Sequence, residues 1–554
     1  MAVIQQTTEK NKKTTQNHKA IKLRLAVLIS IAAAVITIKL FGVRYQSNDD
    51  ATLANIAAGA YGDRLHMVYV NILFAAVLRP LYFITNANWY VIVQILLEII
   101  SISIIIYILM DKLGVLAGSI ISCGVMIAFS QPLFNSFQYT ECAFIVLTAG
   151  LLLIIDNLGQ TNKYCAAGIL LALTGTLIRW DAFYAVGGLS ASLLLYKFFR
   201  LDSQGKKKAV ITMIILFAAT FGAKAADILA YKADDGWNTF VEYNAARTAY
   251  SDYKVYDLPQ ENPFEDLGIS DIDYKMLGYW NYYDEAKFTT ELLEQISRGG
   301  QQIKLNKLID KTVDRIKYML HGESYRYMFL LITILSVLSL RPKWQSLLLV
   351  CIYGTYGAFM MYLVYRMRIT SWVELGLIWT ICVFSLYCIG ESKISPRINI
   401  PAGIAIFVLA VYICLPVYKQ LYIDRPYYEE FIQLEEPYFE AMTADKENIY
   451  LLVTQSISNV AGYDVSNPRP EGFFSNIVAY GGWLSRAPHR DEALARYGLQ
   501  RPLVDAVDNP NVYIDYHYLN EAVEYVKGQL GCEVYAVNTG KNPYAPYQLV
   551  TKLP

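Results

Sequence analysis

The chain has 554 residues, 55% of them hydrophobic and only 17% charged, a balance that excludes an ordinary soluble enzyme. Forty-eight Lys and Arg offset 48 Asp and Glu, so the total charge is silent about partners and the placement of charge carries the information. Repeated apolar runs of about 15–22 residues place it among multi-pass α-helical membrane proteins.

In chain order, residues 1–21 are polar and Lys-rich and read as a disordered cytoplasmic tail. The apolar run 22–43 is too long for a signal-peptide core and has no small-residue cleavage site, so it reads as a retained span. Further spans are expected at 89–110, 115–130, 139–156, 164–179, 182–199, 209–230, 327–340, 346–365, 372–390 and 401–418. Eleven crossings with the amino terminus inside place Lys112, Lys163, Lys197, Arg200, Lys206, Lys207, Lys208, Arg341, Lys343, Lys393 and Arg397 in cytoplasmic connections. That is the positive-inside bias, and it puts the carboxy terminus outside.

Residues 66–84 are also apolar, but counting them as a span would turn Lys206, Lys207 and Lys208 outward. They read instead as a helix lying along the outer leaflet, inside a first outer loop of 44–88. The cytoplasmic connections are too short to hold a nucleotide-binding domain, so a donor has to arrive by way of the membrane.

Two polar pieces remain. Residues 231–326 form an outer loop rich in aromatics and acids. Residues 419–554 alternate strand-like runs (NIYLLVT, NVYIDY, CEVYAVN, YQLVTK) with helical ones (HRDEALARYG, YLNEAVEYVKGQL), which predicts a small extracytoplasmic α/β domain. The eight cysteines form no CxxC or Cys/His cluster, and the five histidines never pair at metal-ligand spacing.

The chemistry-bearing stretch is YQSNDDATLANIAAGAYGDRLH, residues 45–66. Asp49 and Asp50 stand just past the first span. One carboxylate there has the chemistry to take a proton from a hydroxyl nucleophile; the alternative is a pair of solvated acids opening a helix. Gln138-Tyr139-Thr140-Glu141 opens the fourth span on the same side, where Glu141 reads as an interface carboxylate at a helix start. Arg179 and Asp181 flank the next outer turn, and Arg366 and Arg368 sit between two spans against the orientation bias. Arginine at a membrane edge calls for a partner, either a lipid-borne phosphate or a carboxylate. In the outer loop Trp237, Arg247, Trp280 and Asp284 offer rings and polar groups to a sugar, or pack a subdomain with the same composition.

The NDD stretch, the helix ending at Gly59, His66 opening an interfacial helix, and QYTE together resemble the first outer loop of the GT-C glycosyltransferases, with the likeness spanning residues 22–230. Met67-Val68 stand where many relatives have a proline pair. The resemblance implies an integral-membrane enzyme using a polyprenyl-phosphate sugar, with Asp49 and Asp50 catalytic. It further implies that Arg366, Arg368, Arg179 and His66 lie at the donor phosphate and Glu141 beside the donor or a metal. It leaves a divalent cation, magnesium or manganese, open.

The expected reaction is inverting transfer to a hydroxyl of a glycan, lipid or protein at the outer face of a bacterial plasma membrane, with no nucleic-acid partner. The rival readings are a transporter or flippase of a lipid-linked saccharide, for which Glu98 is the mid-span acid, and a membrane protein that binds glycan without reaction.

Overall fold

The computed structural model describes residues 2–254, 261–298, 305–319, 322–339, 344–366, 368–391, 396–457, 459 and 462–552. Arg341, Lys343, Lys393, Met367 and the side chains of Tyr253 and Arg397 lie outside the described residues. Helix α1 (Ala2–Phe41) leads to strand β1 (Arg44–Tyr45), α2 (Asn48–Ala58), α3 (Ile72–Tyr82), α4 (Trp89–Leu113) and α5 (Val115–Ser130). After a π-helical turn come β2 (Ser136–Phe137), α6 (Tyr139–Asp156), α7 (Lys163–Ile178), α8 (Trp180–Phe199) and α9 (Ser203–Lys232). Four polar helices follow: α10 (Asp235–Lys254), α11 (Asp271–Gly278), α12 (Thr290–Arg298) and α13 (Leu305–Met319). The chain then returns to apolar helices, α14 (Ser324–Leu338), α15 (Trp344–Tyr365), α16 (Ser371–Glu391) and α17 (Pro396–Ala444). The terminal part holds β3 (Ile449–Leu452), α18 (Thr454–Ile457), β4 (Ile477–Ala479), α19 (Pro488–Ala495), β5 (Val512–Ile514), α20 (Leu519–Leu530), β6 (Tyr535–Asn538) and β7 (Tyr547–Val550).

Among the described residues nine helices are long and apolar enough to cross a membrane, the pattern of a multi-pass helical membrane protein. The eleven sequence-read spans fall on these nine and on α7 and α14, which are apolar but only 16 and 15 residues long. The apolar windows of α6 and α16 are 94% buried, whereas that of α1 is 22% buried. The first two are therefore the centre of the bundle, and α1 keeps an apolar outer face (Leu28, Val35, Ile36) of the kind lipid covers. Small residues let α6 and α7 touch: a Cβ on Gly150 would sit 2.6 Å from the Ala172 amide.

Charge pairs fix the direction of the helices. Lys22 of α1 meets Asp111 near the end of α4, so α4 runs antiparallel to α1, and residues 42–88 leave and rejoin the bundle at one end. At eleven residues, α3 reaches about 16 Å, half of a hydrocarbon core of roughly 30 Å. At the opposite end Lys112 bridges Asp156 (2.6 Å) and Glu391 (2.8 Å), and Lys197 also holds Glu391 (2.8 Å). Connections at that end are short: Gly114 alone, 157–162 and 200–202.

Three expectations change. Residues 2–21 are not a separate coil but the first half of α1; the charged stretch is rich in Lys and Gln, good helix formers that extend a helix already nucleated by the span. The terminal domain does not begin at 419, because α17 runs unbroken for 49 residues, about 74 Å, and its far half carries the sheet. That sheet has a fifth strand, β4, too short to show an alternating pattern, in the order β4-β3-β5-β7-β6. β4, β3 and β5 are parallel, and β7 is antiparallel to β5 and β6. The Asn476 side-chain amide fastens this sheet to the end of α17, donating to the carbonyls of Met442 and Asp445 (both 2.8 Å).

The loop helices and the sheet form one polar body. Arg501 grips Asp284 (2.6 Å), and Arg486 donates to the carbonyls of Tyr282 and Tyr283 (both 3.3 Å). The body rests on α2, where the amides of Arg469, Gly472 and Phe474 donate to Asn55 Oδ1, Gly59 O and Ala60 O.

Candidate functional site

β1 and β2 pair in parallel, Arg44 opposite Ser136 and Tyr45 opposite Phe137, which sets the NDD and QYTE stretches side by side. Asp49 and Asp50 both lie in the first turn of α2, where the unpaired amides favour negative charge. Their side chains then part. Asp50 is fully buried and accepts from the Ser47 hydroxyl (2.6 Å) and the Tyr139 amide (2.9 Å), so it ties the two motifs together. Asp49 is part-buried and faces a cavity of about 1010 Å³ between the bundle end and the polar body.

The cavity floor holds Asp49, Asp252, Arg368, Tyr69 and Thr370. Arg368 binds Asp252 (2.6 Å), whose other oxygen lies 3.5 Å from Arg247. Arg247, wholly buried, also donates to Asn244 Oδ1 (2.9 Å) and Tyr69 Oη (3.3 Å). Arg179 donates to the Tyr139 hydroxyl (2.8 Å), pairs with Asp181 (3.0 Å) and lies over the Tyr69 ring. Burial raises the Asp49 carboxyl above the ordinary aspartate value. Arg179, Arg368 and Arg247 pull it back and Asp252 pushes it further up. The result is a carboxylate of enhanced basicity inside a ring of guanidinium groups.

The other sequence-read residues have different places. Arg366 does not line the cavity. His66 holds Asp63 (2.5 Å) and stacks on Trp237 (4.4 Å between ring centres), and it does not line the cavity. Burial alone would raise the Asp63 carboxyl, but His66 and two backbone amides hold it at about 2. Trp237 is committed to that aromatic cluster, and Asp284 to Arg501 and the Tyr525 hydroxyl (2.6 Å). Of the four outer-loop residues, Trp280 alone lines the cavity, with Arg247 behind it. Glu141 points into the bundle, 1% exposed, and neither of its oxygens has a hydrogen-bond partner among the described residues.

Sequence reading passed over Asp252 as one acid among many, and missed Tyr69 and the polar residues following the parallel strands. A polar cluster directly after a parallel strand, such as Asp515-Tyr516-His517, was the available signal. Among the described residues no group of three or more His, Cys, Asp and Glu side chains is placed to hold a metal. Asp252 is already engaged by two arginines, a donor set that does not suit a divalent cation.

Fold and site together define a class: a helical membrane protein with a polar body closing a charged cavity at one end of its bundle. No protein-family model matches the chain, and no curated protein matches it.

Proposed function

We propose that the protein is a GT-C-like membrane glycosyltransferase that moves a sugar from a polyprenyl-phosphate donor to an acceptor hydroxyl at the extracytoplasmic face of a bacterial plasma membrane. The observation that carries this reading is that Asp49 and Arg368 share one cavity at the bundle end. The short connections at the other end leave no room for a soluble donor domain. In the reaction Asp49 takes the proton of the acceptor hydroxyl while that oxygen bonds to the anomeric carbon. The carbon–phosphate-oxygen bond breaks, and the electron pair leaves with the polyprenyl phosphate. Arg368, backed by Arg179, meets the charge that develops there. A single displacement inverts the anomeric centre. Asp50 holds α2 against α6 and orients its neighbour.

The test is transfer by purified protein supplied with radiolabelled polyprenyl-phosphate sugars. Asp49→Asn lowers the rate by roughly 10²–10⁴; a folded Asp49→Asn variant of normal rate refutes the reading.

One observation favours transport of a lipid-linked saccharide instead. Glu98 and Glu141 are each 1% exposed inside the bundle, and Glu98 Oε2 and both Glu141 oxygens lack partners among the described residues. Acids in such positions mark pathways through membranes. Movement of a labelled lipid-linked saccharide across proteoliposomes, lost in Glu98→Gln, would establish that reading if transfer is absent.

A further inference from the structure

The roof of the cavity is built by the sheet. β4, β3 and β5 point their carboxyl ends toward it: Val453, Thr454 and Ser456 follow β3, Trp483 follows β4, and Tyr516, His517 and Tyr518 follow β5. The chain passes from β3 to β4 on one side and returns past β3 to β5 on the other. The carboxyl ends of β3 and β5 are therefore a topological switch point, the crevice where open α/β sheets bind ligands.

The groups in this crevice differ from those of the floor. Asp515 is fully buried and accepts from the amides of Val453 (3.0 Å) and His517 (2.9 Å). It also lies 2.9 Å from His517 Nδ1. With Nδ1–H donating to this carboxylate, Nε2 is the acceptor of the ring. Thr454 Oγ1 has no hydrogen-bond partner among the described residues.

Tyr279 and Tyr518 stack at 4.1 Å, beside Trp280. Trp280 (φ 61°) and Tyr518 (φ 53°) are both left-handed, a costly backbone state for aromatic residues that persists only where the surroundings enforce it. The Gly482 amide donates to the Trp280 carbonyl (2.9 Å), and a Cβ on Gly481 would sit 2.2 Å from that oxygen. Among the described residues, none of the cavity-lining residues that follow the three strands is Lys or Arg.

An anion seeks guanidinium groups, which belong to the floor. Rings with neutral donors and acceptors suit a polyol that has one apolar face. We propose that the roof crevice is a binding subsite for a neutral saccharide. Its ring lies against Trp280 and Tyr518, and its hydroxyls meet His517. The role of that saccharide as acceptor rests on the transferase reading; its binding does not.

The experiment uses full-length protein in nanodiscs without any lipid-linked donor. The probes are fluorescently labelled tetrasaccharides of glucose, mannose, rhamnose and N-acetylglucosamine, read by anisotropy. At least one binds saturably. Trp280→Ala and His517→Ala each weaken it about tenfold, in line with the loss of one well-made contact. His517→Gln, whose amide oxygen still accepts, weakens it less, and thermal unfolding confirms that the variants fold. Absence of saturable binding in the wild type overturns the proposal, as does binding indifferent to both alanine changes. Displacement of the sugar by millimolar inorganic phosphate also overturns it, because that places the sugar among the arginines. Saccharide binding without transfer activity refutes only the transferase reading.

Discussion

The floor of the cavity comes from the first outer loop, the polar helix α10 and the segment before α16, and its working groups are charged: Asp49, Asp252 and Arg368, with Arg179 and Arg247 behind. The roof comes from the ends of parallel strands and the neighbouring Tyr279-Trp280 turn and offers rings, hydroxyls and an imidazole, with the Glu435 carboxylate of α17 also on the cavity wall. Under the proposed transferase reading a floor of this kind meets the charge that develops on the leaving phosphate, because guanidinium groups interact strongly with anions. A roof of this kind recognises shape. The difference also explains why two adjacent aspartates have unlike fates. Asp49 belongs to the cavity, while Asp50 belongs to the joint that holds the floor together.

The largest expected effect separates those two acids. Asp49→Asn lowers transfer by roughly 10²–10⁴ and leaves the melting temperature near that of the wild type. Asp50→Ala strands the buried Tyr139 amide and the Ser47 hydroxyl, and costs about 1–3 kcal/mol of stability. Equal loss of stability in both variants would erase the distinction. Next in size, Arg368→Gln reduces transfer about 10- to 100-fold while saccharide binding at the roof persists; loss of both together would mean that floor and roof are one site.

Gly481→Ala acts on the roof. Its methyl group meets the Trp280 carbonyl oxygen, so the strained turn has to shift at about 1–3 kcal/mol. Saccharide affinity is expected to fall while donor binding at the floor is kept, as measured by retention of a labelled polyprenyl phosphate.

The smallest effect lies on the seam between the polar body and the first loop. His489 packs against Tyr61 and Trp237, and neither ring nitrogen has a hydrogen-bond partner among the described residues. Burial, reinforced by Arg490, lowers its pKa from 6.5 to about 3. In the unfolded chain the ring gains a proton near pH 6.5 that the folded chain refuses until about 3. Stability from this group is therefore full above the unfolded value and is lost as pH falls through that window. Between pH 6.5 and 5 the loss is at most about 2 kcal/mol. Thermal melts of His489→Phe should show a flatter acid limb than the wild type, and an unchanged limb would remove His489 as its source.

Legibility follows the range of the interactions. The α/β character of the terminal part was readable from its alternating strands and amphipathic helices, because both periodicities are local. So was the end of α2 at Gly59, which adopts φ 87°. The orientation of side chains was not readable: Asp49 and Asp50 are neighbours with the same chemistry, and only the packing of α2 on α6 decides which one meets the cavity. His66 has a local partner, Asp63, three residues back in its own stretch, but nothing in that stretch announces Trp237 as the ring it stacks on.

What the sequence determined by itself was a set of apolar runs with their cationic ends, a polar terminal piece, and an acidic doublet after the first run. Lipid selects for length and hydropathy one segment at a time, so these features need no knowledge of the fold. Only the tertiary structure decided that Arg368, Asp252 and Asp49 surround one space and that a sheet closes it. Those contacts join residues hundreds of positions apart, and they depend on close packing that no local pattern encodes.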